Sequence, residues 1–172
     1  MWWGLQRRVL LHGRRVATAA PPVLVVGVET SCDDTAVALL GWGGDGDGDA
    51  QVRWQRRVTH HHLQAQYGGV KPDEAGRCHR HLLHTLLQQV EAAVKTHTEA
   101  GTVLLLAVTA GPGLRLCLRE GLHACVQRVR QASLGPHCAA AAHALLPIHH
   151  LEAHLLVARL QGVHTLLAFP SL

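Results

Sequence analysis

The chain has 172 residues, of which 48% are hydrophobic, which is enough for one domain with a packed core or for half of a two-lobed enzyme. Its formal net charge of +4, with fifteen histidines, favours a polyanionic partner. Five cysteines without a CxxC pair argue against a disulfide scaffold or a zinc ribbon and favour a reducing compartment. No apolar run approaches the roughly 18 residues of a membrane span, so the sequence predicts a soluble protein.

The first twenty residues are basic and amphipathic. They contain four arginines and no acidic residue, and tryptophan, leucine and valine alternate with the arginines. This composition predicts a mitochondrial transit peptide over residues 1–20, with a basic first helix of the fold as the alternative. The folded domain is then predicted over residues 21–170.

The next part of the chain predicts three strands. Val23–Val28 is a short, β-branched apolar run after two prolines, which is typical of a buried strand. A polar turn at Glu29–Thr35 separates it from a second apolar run at Ala36–Leu40. After a tip rich in glycine and aspartate, Gln51–Thr59 is predicted to return as a third strand.

A helix is predicted from Asp73 to about Lys95, because apolar residues recur there at steps of three and four after Pro72. Its apolar face consists of Ala75, Cys78, Leu82, Leu86, Val90, Ala93 and Val94. Val103–Val108 then predicts a buried strand, and a second helix follows from Leu114 to about Gln131.

The last part predicts one more strand and one more helix. Residues 133–144 give no prediction, Leu145–Ile148 reads as a short strand, and Leu151–Leu160 reads as a helix. Strands interleaved with helices indicate an α/β layer fold.

The most specific chemical feature is the segment His150-Leu-Glu-Ala-His154. Residues four apart project from one face of a helix, so these two imidazoles can bind one metal ion. A complete site needs a third ligand, and an oxygen donor from elsewhere would suit zinc or iron. On spacing alone, solvated histidines at a helix N-terminus are the alternative. A metalloprotease is disfavoured, because Glu152 stands two places after His150 instead of directly after it.

Two other groups of histidines are weaker candidates for metal binding. They are His60–His62 and the set His79, His81 and His84, in which Arg80 interrupts the run. In that set only His81 and His84 share a helical face. Solvated or hydrogen-bonded histidines are the simpler interpretation of both groups.

Two turns have the composition of an anion or nucleotide site. Glu29–Thr35 places acidic and hydroxyl groups between two strands, where a phosphate and its metal could be held, although a surface hairpin capped by Asp has the same pattern. Gly111–Leu114 puts glycines between a strand and a helix, where backbone N–H groups can approach an anion. A tight strand-to-helix turn is the alternative for that segment, which lacks the Lys-Ser/Thr ending of a P-loop.

Four segments follow one another as they do in a known family: Val26–Thr35 (VGVETSCDDT), Tyr67–Pro72 (YGGVKP), Ala110–Leu114 (AGPGL) and Ile148–His154 (IHHLEAH). Together they resemble the tRNA threonylcarbamoyladenosine transferases, also called glycoproteases, and ETSCDDT resembles the bacterial and mitochondrial branch. The resemblance runs from about Val23 to Pro170 and covers about half of a family member. It implies an α/β fold, namely the first lobe of an actin- and Hsp70-like ATPase fold, with a mixed sheet, flanking helices and the second lobe missing.

The resemblance also implies a reaction. A threonylcarbamoyl group moves from threonylcarbamoyl-AMP to N6 of the adenosine next to the anticodon, in tRNAs that read codons beginning with A. His150 and His154 then match two ligands of one divalent ion per subunit, zinc or iron, which would orient and polarise the substrate carbonyl. Asp33 and Asp34 match an acidic pair near the reaction centre. The expected partners are tRNA, threonylcarbamoyl-AMP and a second copy of the chain, without a membrane. With the leader, the expected location is the mitochondrial matrix.

The chain departs from the family pattern in three ways. Phe169-Pro170 is followed by Ser171 and Leu172 instead of a strand that ends in Ser-Gly-Gly-His. The family's third metal ligand, an Asp near the C-terminus, is missing. The segment of residues 133–144 is longer and richer in alanine than the family's link to the segment that matches Pro147–His150. We therefore expect the chain alone to be inactive. Two alternatives stay open: a non-catalytic lobe that pairs with the full-length enzyme, or an incomplete gene model.

Overall fold

The computed structural model describes residues 21–42, 50–60, 65–134 and 144–160. The predicted leader and the segments 43–49, 61–64, 135–143 and 161–172 lie outside the described residues. In chain order the elements are β1 (Val23–Glu29), β2 (Asp34–Trp42), β3 (Gln51–Thr59), α1 (Pro72–His97), β4 (Val103–Gly111), α2 (Arg115–Leu134), β5 (Ala144–His149) and α3 (His150–Leu160). Each element predicted from the sequence is present, and the boundaries differ by a few residues at most.

The strands form one mixed sheet in the order β3-β2-β1-β4-β5. β1 and β2 form an antiparallel hairpin in which Val23 lies opposite Trp42 and Glu29 opposite Ala36, and β3 pairs antiparallel with β2. β4 pairs parallel with β1 and with β5. Parallel neighbours require crossover connections, which α1 and α2 supply. This mixed sheet with flanking helices confirms the predicted fold class.

One face of the sheet is buried beneath α1 and α2. Side chains alternate across a strand, so the apolar run of β1 divides between a fully buried face and a half-buried face. The buried core is Leu24, Val26, Val28, Val37, Leu39, Leu83, Leu86, Leu87, Val90, Leu106, Val108 and Cys125. Removing this apolar surface from water is the main source of stability, and it leaves the second face of the sheet free to form a site.

The buried face of α1 differs from the predicted one. Leu86 and Val90 are buried as expected, but His79 and Leu83 occupy the centre of the face in place of Cys78 and Leu82, which are only half-buried. The face is rotated because α1 packs against both β2 and α2, and because a buried threonine hydroxyl on β2 satisfies the imidazole of His79.

Two expectations from composition can be compared with the described residues. Four of the five cysteines lie there, and all four are free thiols, of which Cys117 and Cys125 are buried, Cys78 is half-buried and Cys32 is exposed. Within the same ranges no helix combines the length and the apolar character that a membrane span requires.

A buried carboxylate ties α1 to α2 on the outer side. Arg80 on α1 donates two hydrogen bonds of 2.9 Å to Glu120 on α2, and Arg119 donates two more. Glu120 is only 5% exposed, whereas both arginines are more than 60% exposed. The hydrogen bonds from Arg80, followed by those from Arg119, outweigh the effect of burial and lower the pKa of Glu120 to about 2.

The low pKa of Glu120 predicts a loss of stability in acid. Because the pKa of the folded state lies below the usual value of 4.5, the carboxylate contributes stability above that value and loses it as the pH falls towards about 2. We expect Glu120→Gln to lower the free energy of unfolding by about 1 kcal/mol near neutral pH, since the exposed arginines are screened by solvent. Urea unfolding at several pH values will measure this loss, and the variant should show a shallower decline in acid. Glu99→Gln, with the same change in charge, should leave the slope unchanged.

Candidate functional site

The half-buried face of the sheet carries a hollow of about 620 Å³ at the carboxyl ends of β1, β4 and β5. Its lining includes four small residues, namely Gly27, Ala36, Ala38 and Ala107. The β1–β2 turn borders one part of the hollow, and α3 contributes Ala153, His154 and Val157. Its volume is in the range of small-molecule sites, and α/β sheets bind ligands at the carboxyl ends of parallel strands.

The two predicted metal ligands lie side by side at this hollow. His150 is the first residue of α3, and His154 follows one helical turn later. Their Nε2 atoms are 3.0 Å apart and their rings meet edge to face, with centroids separated by 4.5 Å. Two nitrogen ligands of one tetrahedral ion, each about 2.1 Å from it, would be about 3.4 Å apart. The observed separation of the two Nε2 atoms is close to this value.

The other ring nitrogen of His150 is held by the end of β1 and the turn after it. Nδ1 lies 3.0 Å from the hydroxyl of Ser31 and 3.5 Å from Oε2 of Glu29. A partner at Nδ1 fixes the orientation of an imidazole and leaves its Nε2 for another ligand. This contact directs Nε2 of His150 towards His154.

Glu29 is itself held in place by hydrogen bonds. Its carboxylate accepts one from the backbone N–H of Ser31 and one from the hydroxyl of Thr109 at the end of β4. Burial alone would raise the pKa of Glu29, but these hydrogen bonds and the nearby His150 outweigh burial, so the pKa is lowered. The sequence analysis did not assign a role to this residue. The available signal was an acidic residue at the end of a buried strand, beside hydroxyl residues.

Asp33 and Asp34 line the same hollow as the histidine pair. Oδ2 of Asp34 lies 3.8 Å from the guanidinium of Arg57 on β3. Oδ1 of Asp34 is buried and has no hydrogen-bond partner within the part of the chain that the structure describes. The carboxylate that contacts His150 is Glu29, so the predicted catalytic roles of Asp33 and Asp34 stay predictions.

The glycine-rich turn before α2 packs against the β1–β2 turn. The backbone N–H of Leu114 donates a 2.7 Å hydrogen bond to the carbonyl oxygen of Ser31. At Gly113 a Cβ atom would lie 2.7 Å from the same oxygen, so only glycine fits there. The structure therefore supports the tight-turn interpretation of Gly111–Leu114, since the N–H of Leu114 is already engaged. The turn acts on the site indirectly, by positioning Ser31.

The other histidines do not form a metal centre in the described ranges. His79 is buried and hydrogen-bonded, and the exposed His84 contacts Gln88. Across residues 21–42, 50–60, 65–134 and 144–160, no group of three or more His, Cys, Asp or Glu residues is arranged to hold a metal. In these ranges His150 and His154 are a pair without a third such side chain arranged beside them, and His61 and His62 lie outside the described residues.

Together these features define an α/β lobe with a hollow and a pair of histidines at the edge of its sheet. The family described as TsaD, tRNA N6-adenosine threonylcarbamoyltransferase, matches residues 54–172, and the chain belongs to this family.

Individual relatives agree with the family match. A probable mitochondrial tRNA N6-adenosine threonylcarbamoyltransferase of Arabidopsis thaliana is 36% identical over 86% of this chain and 27% of its own length. The mitochondrial protein of that name from Homo sapiens is 36% identical over 80% of this chain and 29% of its own length. The Zymomonas mobilis protein is 35% identical over 95% of this chain and 40% of its own length. The chain thus spans 27% to 40% of these relatives, less than the half expected from its sequence.

A solved structure described as YeaZ from Pseudomonas aeruginosa aligns with 81% of this chain and 50% of its own chain. Its TM-score is 0.46, and its sequence identity is 16%.

Proposed function

We propose that this chain is the first lobe of an enzyme that transfers a threonylcarbamoyl group from threonylcarbamoyl-AMP to N6 of the adenosine next to the anticodon, in tRNAs that read codons beginning with A. Membership of the family supports tRNA adenosine as the substrate class. The observation that carries the proposal is the placement of the Nε2 atoms of His150 and His154, 3.0 Å apart beside the hollow.

The two histidines would hold one divalent ion, zinc or iron, with a further ligand from outside the described residues. Imidazole nitrogens suit both metals, and the contact of Glu29 and Ser31 with Nδ1 of His150 leaves its Nε2 for the ion. When bound, the ion would polarise the carbamoyl carbonyl of the substrate. The side chains of the hollow would orient the substrate and exclude water from it.

The reaction makes one bond and breaks another. The N6 amine of the adenosine bonds to the carbamoyl carbonyl carbon, the bond from that carbon to the phosphate oxygen breaks, and AMP leaves with the electron pair. The amine loses a proton, which the carboxylate of Asp34 in the hollow would accept. Oδ1 of Asp34, which is buried without a partner in the described chain, is suited to accept a hydrogen bond from this amine.

The exposed side of α3 supports a partner above the hollow. Leu151 and Leu155 are 55% and 56% exposed, and Leu156 and Val157 are above 40%. A cluster of this kind is normally covered, and the relatives extend well beyond the matched region. A second lobe is therefore proposed as the cover. Mitochondrial names of relatives and the basic leader support action in mitochondria; the matrix and a homodimer stay predictions from the family resemblance.

A chimera tests the proposed function. Residues 23–160 would replace the matching segment of the Zymomonas mobilis relative, which aligns with 95% of this chain. Supplied with threonylcarbamoyl-AMP, a divalent metal and tRNA, the chimera should form threonylcarbamoyladenosine, whereas the 172-residue chain alone should not. A folded chimera without activity would contradict the proposal and favour the alternative of a non-catalytic lobe. Turnover by the chain alone would refute its expected inactivity.

Glu29→Gln should weaken metal binding without removing either ligand. The amide keeps the shape of the side chain but loses the negative charge near Nδ1 of His150, and loss of such a partner lowers metal affinity about 10- to 100-fold. Competition for zinc between the chimera and a chromogenic chelator will measure the affinity. Glu152→Gln, on α3 itself, is the matched control and should change the affinity by less than about twofold.

A further inference from the structure

We infer that Thr35, His60 and His79 form a directional hydrogen-bond relay that positions the Cys32–Asp33 turn at the candidate site. Thr35 lies on β2, His60 directly follows β3 and His79 lies on α1, and all three are buried. His79 is buried completely, which is unusual for a polar side chain with no direct place in the site.

Three consecutive carbonyl oxygens of the β1–β2 turn are each held by a different part of the chain. Ser31 O accepts from the N–H of Leu114, Cys32 O lies 3.0 Å from Nε2 of His79, and Asp33 O accepts from the N–H of His60 at 3.3 Å. The turn is thus fixed from three directions, as a preorganised site requires. Two of these three contacts come from relay residues.

One hydroxyl joins the imidazoles of the two histidines, of which His79 contacts the turn through its ring and His60 through its backbone N–H. Oγ1 of Thr35 lies 2.8 Å from Nδ1 of His79 and 3.1 Å from Nε2 of His60. The two rings meet edge to face, with centroids 5.3 Å apart. Loss of the hydroxyl therefore affects both histidines at once.

The direction of each hydrogen bond follows from the carbonyl oxygen of Cys32, which can only accept. Nε2 of His79 must therefore carry a proton, so Nδ1 of the neutral ring is an acceptor. Thr35 has one proton and gives it to Nδ1 of His79. Its oxygen then accepts from Nε2 of His60, which must be protonated as well.

The surroundings of His79 favour the neutral ring that this pattern requires. Burial lowers the pKa of His79 and outweighs the hydrogen bond to Cys32 O and the attraction of Glu29, Asp33 and Glu120, which all favour the charged form. A charged ring would donate from Nδ1 to Thr35 and reverse the hydroxyl. The neutral form keeps a single direction from His60 to the turn.

The first test is the proton position in the full chain. Two-bond ¹H–¹⁵N spectra of the ¹⁵N-labelled protein, assigned with His79→Gln and His60→Gln, should show a neutral ring protonated at Nε2 for His79 and a proton on Nε2 of His60. A proton on Nδ1 of neutral His79, or a charged His79 near neutral pH, would overturn the relay. This measurement needs no variant of Thr35 and does not depend on how such a variant folds.

The second test follows the turn through the thiol of Cys32, which is exposed beside the relay. Thr35→Val preserves the shape of the side chain but removes the hydroxyl, and it should increase the rate of labelling of Cys32 by a thiol reagent about fivefold, as expected for the loss of one buried hydrogen bond. Thr35→Ser should restore the wild-type rate. Thr96→Val on α1 controls for loss of an exposed hydroxyl, and Cys32→Ser identifies the signal. Equal labelling of Thr35→Val and wild type would overturn the positioning role.

The value of the relay to catalysis rests on the proposed function, but neither test uses metal or tRNA. Failure of the chimera to bind a divalent ion would defeat the proposed function and leave the relay standing. If the chimera binds metal but the protons of His60 and His79 are found at other positions, the relay is refuted and the proposed function stands.

Discussion

Replacing His150 and His154 together by alanine will lower threonylcarbamoyl transfer by the chimera at least about a hundredfold. The two Nε2 atoms lie 3.0 Å apart and offer the only pair of imidazoles that lines the described part of the hollow. Each single substitution should be nearly as severe, because one imidazole leaves the ion short of a ligand. Mass spectrometry of the modified nucleoside after a timed reaction will give the rate.

His84→Ala is the matched control for this experiment. His84 is an exposed histidine on α1 whose described partner is Gln88, and it lies outside the hollow. Its replacement should leave transfer within about twofold of the parent, as surface substitutions usually do. Transfer that survives loss of both His150 and His154 would contradict the assignment of these residues.

Gly113→Ala should lower the free energy of unfolding by about 2–4 kcal/mol, through steric overlap and a weakened hydrogen bond. The new Cβ would lie 2.7 Å from the carbonyl oxygen of Ser31, a backbone atom that cannot rotate away. The two turns must then separate, which weakens the hydrogen bond from Leu114 N–H to Ser31. The change also reaches the site, since the hydroxyl of Ser31 contacts His150.

Urea unfolding monitored by circular dichroism will measure this effect. Gly69→Ala is the matched control, because a Cβ there meets no atom within 4 Å and its backbone does not require glycine. The control should change the free energy of unfolding by less than about 0.5 kcal/mol. If Gly113→Ala were as stable as the control, the close approach of the two turns would be wrong.

The helices and strands could be predicted from the sequence because each has a strong local pattern. The apolar run of β1 and the three- and four-residue spacing in α1 each allow few structures. The glycines at 111 and 113 likewise mark the turn between β4 and α2. The sequence could not place the sheet order, since strand pairing depends on contacts between distant parts of the chain.

Histidine burial was the main feature that local patterns could not predict. His79 reads as a polar residue on a helix, yet it lies in the core because Thr35 and the carbonyl of Cys32 supply its hydrogen bonds. These partners are 44 and 47 residues away in sequence. Helical periodicity therefore predicted the helix correctly, but the face that it predicted to be buried is rotated from the observed one.

Only the local part of the candidate site could be predicted from the sequence, because its other part depends on residues that are far apart in the chain. The four-residue spacing of His150 and His154 is local, so their meeting on one helical face followed directly from sequence. Glu29 acts on His150 across the sheet, from a strand more than a hundred residues earlier in the chain. Only the parallel alignment of β1, β4 and β5 brings these residues together.

Calorimetric titration of the chimera with zinc tests the central claim most directly. The chimera with the wild-type histidines is compared with its His150→Ala, His154→Ala double variant under the same conditions. The account predicts that wild type binds one more divalent ion than the double variant, because the two imidazoles act as a pair. It also predicts that His84→Ala matches wild type. Identical titrations for wild type and the double variant would show that the pair does not hold a metal, and would contradict the account.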